Sequence, residues 1–195
     1  MPHFVVPEPL GPAHELGGFD CGVGSFNLWL ERHARSAAAA GSARTYVVTD
    51  DEQDRVVGYH TLAVASIEHA EATARAAKGM PRHEIGAVLL VRLAVDRLVG
   101  DWGIGAFLLR DAMVRAVAVS EEIGIRLLVV HALNEAARDF YLHFGFEPSP
   151  TNAMNLQMLI KDIRSSLPAA AADSLGRRPF GRESLSALSG TLGAT

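Results

Sequence analysis

The chain has 195 residues, 49% hydrophobic and 21% charged, with a formal net charge of -4. That length supports about one domain with a core large enough to need no staples. The mild negative charge excludes a globally basic binder of nucleic acid or acidic membrane, though not a local basic patch. A single cysteine, Cys21, excludes an internal disulfide. No charged-then-apolar leader opens the chain and no apolar run approaches the ~20 residues that cross a bilayer, so a soluble, cytoplasmic protein without membrane contact is expected.

In chain order, Phe4–Val6 is short and β-prone, and Pro7 and Pro9 after it predict an edge strand. Ser25–Ala39 has helical spacing, with Phe26, Trp29 and Leu30 on one side, Ser25 as N-cap and Gly41 as terminator. Arg44–Asp50, a turn at Asp51–Asp54 and Arg55–Val64 predict a hairpin. Ile67–Glu84 is Ala-rich and weakly patterned, either a short helix or a loop.

The run Val88–Val95 is almost wholly apolar, as expected of a central strand buried on both faces. Gly103 and Gly105 open a long helix, Ala106–Glu122, which Gly124 closes. Ile125–His131 predicts another buried strand, Asn134–Phe144 a helix closed by Gly145, and Phe146 and Asn155–Ile160 the last strands. Strands alternating with helices after a hairpin predict an α/β (α+β) domain over residues 1–164, a mixed central sheet flanked by helices. From Ser165 the periodicity is lost, and residues 165–195 read as a flexible tail.

Two segments carry chemistry. In Gly100-Asp-Trp-Gly-Ile-Gly105, glycines permit a tight turn and close approach of a ligand. The first amides of the following helix, with its dipole, suit a pyrophosphate. Read alone, the segment is equally well a tight turn. In Asn134-Glu-Ala-Ala-Arg-Asp-Phe-Tyr-Leu-His-Phe-Gly-Phe146, Ala136 and Ala137 permit close approach, and Tyr141 is either a core aromatic beside Phe140 or a proton donor at a cleft.

Taken together, strand, glycine loop, helix, strand, Asn134 and Phe140-Tyr141 before Gly145-Phe146 resemble the coenzyme A-binding half of the GCN5-related acetyltransferases. A narrower resemblance covers about Gly18 to Ile160. Phe19-Asp-Cys-Gly22, Leu28-Trp-Leu30, Thr45-Tyr-Val47, Val57-Gly-Tyr59, Arg92-Leu-Ala-Val-Asp96 and His131-Ala132 are similar, in that order, to the acetyltransferase toxins of toxin–antitoxin modules. The resemblance implies acetyl-CoA as cosubstrate, the α-amine of aminoacyl-tRNA as acceptor, a ribbon-helix-helix antitoxin and a homodimer.

The resemblance also implies site roles. The central strand splays from its neighbour, and the backbone of Leu93, Ala94 and Val95 pairs with the pantetheine in the gap. Asp101, Trp102, Gly103, Ile104 and Gly105 hold the pyrophosphate. Asn134, Ala137 and Phe140 border the pantetheine arm, and Tyr141 protonates the departing thiolate. Gly100 and Trp102 stand where relatives usually carry Gln or Arg and a basic residue, and Asp101 adds a negative charge.

For the acceptor, Arg92 is expected to face the cleft or anchor a carboxylate, with Arg32, Arg35 and His131 as further contacts; solvated surface positions explain these last three equally well. Cys21 before a helix reads as a nucleophile or, more simply, a half-buried small residue. The eight histidines are scattered and HExxH is absent, so no metal is expected. The alternatives are acetylation of a small amine or a protein N-terminus, and a binding protein that kept the fold but lost catalysis.

Overall fold

The computed structural model describes residues 4–50 and 55–167, so the expected Asp51–Asp54 turn lies outside the described residues, as does the tail beyond Leu167. The described residues form one seven-stranded sheet in the order β1-β2-β3-β4-β5-β7-β6. The strands are β1 (Glu8–Pro9), β2 (Arg44–Thr49), β3 (Val56–Ile67), β4 (Ile85–Val95), β5 (Leu127–His131), β6 (Glu147–Pro148) and β7 (Asn155–Leu159). Only β4 and β5 run parallel; the other neighbours are antiparallel. The expected mixed sheet is present, with some boundaries moved. Phe4 makes one bridge to Asp50 rather than a strand, and β7 ends at Leu159 because Ile160 starts a helix, α6 (Ile160–Ser166), that takes in Ser165 and Ser166.

One face of the sheet carries the long helix α4 (Ile104–Glu122). Its buried residues Ile104, Phe107, Leu108, Asp111, Ala112 and Met113 follow the three-four spacing of an amphipathic stripe. They pack on Leu62, Val88, Leu90, Leu128 and Val130 in one cluster and on Val48 and Val57 in another. A polar network is buried in the same layer. His60 Nε2 pairs with Asp111 Oδ2 (2.6 Å), Arg115 Nε donates to the same oxygen (2.6 Å), and the Arg115 guanidinium lies 3.7 Å from the Tyr46 ring centroid. Desolvation pushes the His60 imidazole below its ordinary pKa despite the Asp111 bond that opposes it.

The other face is covered by the helical segment α1 (Gly24–Leu28), a π-helical turn Trp29–His33 and α2 (Ala34–Ala39). Leu30 and Ala34 bury against Val47, Tyr59 and Ala94 there. Val23, not Ser25, occupies the N-cap, with no side-chain cap. Ile67–Glu84 resolves into a 3₁₀ turn (His69–Glu71) and α3 (Ala74–Ala77), which Thr73 caps. Gly86 is required where β4 passes the end of α4: a Cβ there would lie 2.5 Å from the Gly124 carbonyl oxygen.

Two features of β4 shape the site. Thr61 pairs with Arg92 but Leu62 pairs with Leu90, so Val91 is an extra residue in the strand. Leu90 therefore joins the α4 side, whereas Ala94, also even-numbered, joins the α1 side. The second feature is that β4 pairs with β5 only from Ala87–Leu127 to Leu90–Val130. Beyond that point the two parallel strands separate.

Candidate active site

The gap where β4 leaves β5 is a cavity of about 220 Å³. Arg92, Leu93, Ala94 and Val95 form one wall; His131 and Asn134 stand across it with Ala137 and Tyr141. Leu93–Val95 pair with Gly58–His60 of β3 on one edge, and their cleft-side edge has no strand partner among the described residues. Free backbone N–H and C=O groups at a strand edge are what an extended polar ligand needs.

Asn134 caps α5 (Glu135–His143): its Oδ1 accepts from the Ala137 amide at 2.9 Å. The cap ties the first turn of the helix to the rim of the cavity. One turn further along, Tyr141 points inward and is 6% exposed, its ring 5.3 Å from Phe140 and 5.5 Å from Phe146. Burial pushes the Tyr141 phenol well above its ordinary value, so the group holds its proton.

The glycine segment forms a 3₁₀ turn (Arg97–Trp102) followed by Gly103 at φ 75°, a conformation that favours glycine. The N-terminus of α4 has no side-chain cap, so its leading amides remain available to an anion. Ile104 buries its side chain completely and contributes only backbone at the turn. Trp102 packs edge-on against Phe4 (5.9 Å). Asp101 is exposed. Phe140 sits between α5 and the glycine turn: a Cβ on Gly105 would lie 3.9 Å from its ring. These residues border the turn and do not line the cavity.

A polar brace holds the turn in place. Asp96, 1% exposed, accepts from the Leu98 amide (2.9 Å) and the Asp20 amide (3.3 Å), and pairs with Arg55. Arg97 pairs with Asp20, whose carboxylate also accepts from the Gly22 amide (2.8 Å) and Asn27 Nδ2 (2.9 Å). The bond from Gly22, then those from Asn27 and Arg97, lower the Asp20 pKa. This brace gives the Phe19–Gly22 and Arg92–Asp96 motifs a structural role: it carries Cys21 and Phe26 to the cavity wall. Cys21 donates to Asn27 Oδ1 (3.0 Å), and burial pushes its thiol up, which argues against a nucleophile.

Of the expected acceptor contacts, Arg92 and His131 reach the cavity. Arg35 does not: it donates to the carbonyls of Gly11, Pro12 and His14 and fastens that loop. Arg32 is exposed on the outer side of the π turn and does not line the cavity. The sequence places Phe26 and Trp29 with Leu30 on one side of a helix. Phe26 forms part of the cavity wall, and both rings stack on Arg92, at 5.7 Å and 4.0 Å. Their i, i+3 spacing marked a shared face but not that it was a ligand face.

No family model matches the chain. It is 39% identical over 165 residues to a tRNA-acetylating toxin of Mycobacterium tuberculosis (strain ATCC 25618 / H37Rv), covering 85% of this chain and 98% of the relative. Among solved structures it is similar to AtaT complexed with acetyl-methionyl-tRNAfMet, with a TM-score of 0.77 and 32% identity over 83% of this chain and 98% of that one. It is also similar to a Tyr-to-Phe mutant of AtaT bound to acetyl-CoA and the C-terminus of the antitoxin AtaR. There the TM-score is 0.70, with 33% identity over 83% of this chain and 96% of that one.

Proposed function

The chain belongs to the tRNA-acetylating toxins of the GCN5-related acetyltransferase family, and from that premise we propose that it transfers an acetyl group from acetyl-CoA to the α-amino group of aminoacyl-tRNA and so stops translation. The observation that carries the reading is the cavity where β4 parts from β5, with the proton-holding Tyr141 across from the open edge of Leu93–Val95.

The residues fit acetyl-CoA. The open strand edge suits the amides of the pantetheine arm, with Asn134 and Ala137 on the facing wall. The uncapped start of α4, turned by Gly103, suits the pyrophosphate through the amides of Ile104 and Gly105, while Asp101, Trp102 and Phe140 border that turn. Acetyl-CoA, when bound, supplies the acetyl group as an activated thioester. A strand amide of Leu93–Val95 polarises the carbonyl. As the C–S bond breaks, Tyr141 gives its proton to the leaving sulfur and regains one from the amine nitrogen, which sheds a proton on becoming an amide. An α-amine has a pKa near ~8, lower beside an ester, so part of it is neutral at neutral pH and no side-chain base is needed.

The reading extends to assembly. The protein acts in the cytoplasm as a homodimer and is silenced by a small ribbon-helix-helix antitoxin; family resemblance supports these, and AtaT bound to the C-terminus of AtaR supports an antitoxin partner. The test is incubation of the purified protein with labelled acetyl-CoA and a charged, unfractionated tRNA pool, together with growth on expression. Label in aminoacyl-tRNA and growth arrest, both lost in Tyr141→Phe, support the reading. Label that reaches only small amines or protein N-termini rejects it.

A further inference from the structure

Arg92 sits just past the extra residue of β4, on the same side of the sheet as α1, and lines the cavity that Tyr141 closes. Its guanidinium carbon lies 4.0 Å from the Trp29 ring centroid and 5.7 Å from that of Phe26. Two aromatic rings so placed fix the plane of the guanidinium and strip part of its water. Arg55 and Arg97 at the brace, and Arg115 on the opposite face under α4, each face a carboxylate. Arg92 faces none among the described residues, and its Nε is closed off from solvent without an acceptor. A half-buried cation with unspent donors is costly unless an anion visits it.

We propose that Arg92, held flat by Trp29, grips a phosphodiester of the single-stranded 3′ end of the acceptor tRNA and so sets the aminoacyl end against Tyr141. The assignment rests on the acetyl-transfer reading above. The donor's own phosphates have a separate place at the start of α4, beyond Asp96, so the anion left for Arg92 in a ternary complex is on the acceptor. A fork of N–H donors beside aromatic rings is also the combination that single-stranded RNA ends favour. Arg92 thereby selects for a nucleic-acid acceptor over a small free amine.

The experiment compares wild type with Arg92→Gln, Arg92→Lys and Trp29→Phe. Binding of unfractionated deacylated tRNA is measured over a salt series, with KM for the charged pool and the Kd of acetyl-CoA. Arg92→Gln is expected to weaken tRNA binding and raise KM about tenfold, the loss of one charge-assisted contact. Its log–log salt slope becomes shallower by about 0.7, one single-strand phosphate contact. Acetyl-CoA affinity stays unchanged. Arg92→Lys keeps the slope and recovers part of the affinity, and Trp29→Phe, which keeps a ring under the cation, loses less than Arg92→Gln. A wild-type slope in Arg92→Gln overturns the assignment, as does a parallel loss of acetyl-CoA affinity, which places the guanidinium on the donor. Wild-type protein that leaves the charged pool unacetylated refutes the function itself, whereas acetylation with an unaltered Arg92→Gln slope refutes this assignment alone.

Discussion

Replacing Tyr141 by Phe removes one oxygen and little else. The ring stays packed between Phe140 and Phe146. Among the described residues none hydrogen-bonds its phenol, so the variant forfeits no internal hydrogen bond. Stability should change by less than about 1 kcal/mol, a shift in Tm of at most about 4 °C for a chain of this size. Acetyl-CoA affinity should be preserved, because the donor's contacts lie on the strand edge and the glycine turn. Turnover should fall by about 10²–10⁴-fold, or roughly 3–5 kcal/mol of barrier at ~1.36 kcal/mol per decade. Because burial raises the phenol's pKa, wild-type kcat/KM should climb as the acceptor amine deprotonates below ~8 and show no descending limb below about pH 10. Steady-state kinetics on charged tRNA from pH 6 to 10, with calorimetric titration of acetyl-CoA, tests all of this. Wild-type turnover in the variant removes Tyr141 from the mechanism; a descending limb near neutrality refutes the acid role.

Acetyl-CoA at about 100 times its Kd should stabilise the fold by ~2.7 kcal/mol and raise Tm by about 5–10 °C; an unchanged melting curve at millimolar acetyl-CoA rejects the donor site. Asp101→Asn should tighten acetyl-CoA binding by up to about fivefold, most at low salt, since an exposed charge is worth at most ~1 kcal/mol. Equal affinities at both salts turn that carboxylate away from the phosphates. Because burial depresses the His60 pKa, an unfolded chain below about pH 6.5 takes up a proton that the folded chain refuses, so stability falls with pH there. Urea melts between pH 7 and 5 should show a shallower decline in His60→Gln, and parallel declines would remove His60 as the source.

The sheet and its long helices were legible because the apolar run Val88–Val95 and the glycine-bounded helices carry strong local signals. The proton-donor reading of Tyr141 and the cleft wall at Leu93–Val95 followed from a resemblance rather than from periodicity. What escaped has physical causes. An apolar strand buried on both faces shows no alternation, so the extra residue at Val91 leaves no trace in the pattern. Ile160 continues an apolar run and reads as strand, although its backbone turns helical there. Arg35 looked like a ligand contact because an arginine's pairing with distant carbonyls is invisible in the sequence, as is the seating of Trp102 on Phe4.

The extra residue at Val91 acts as a phase shifter between two halves of one strand. Upstream of it, even positions serve the layer under α4; downstream, they serve the side covered by α1. Drawn into regular alternation, Val91 would swap the two allegiances, turning Arg92 and Ala94 toward α4 and Leu93 toward the cavity, with the side chains themselves unchanged. Deletion of Val91 would leave both faces as they are, because Leu90 toward α4 followed by Arg92 toward the cavity is the alternation of a regular strand. Which face of the sheet Arg92 serves thus depends on one bulge and not only on the order of residues in the strand.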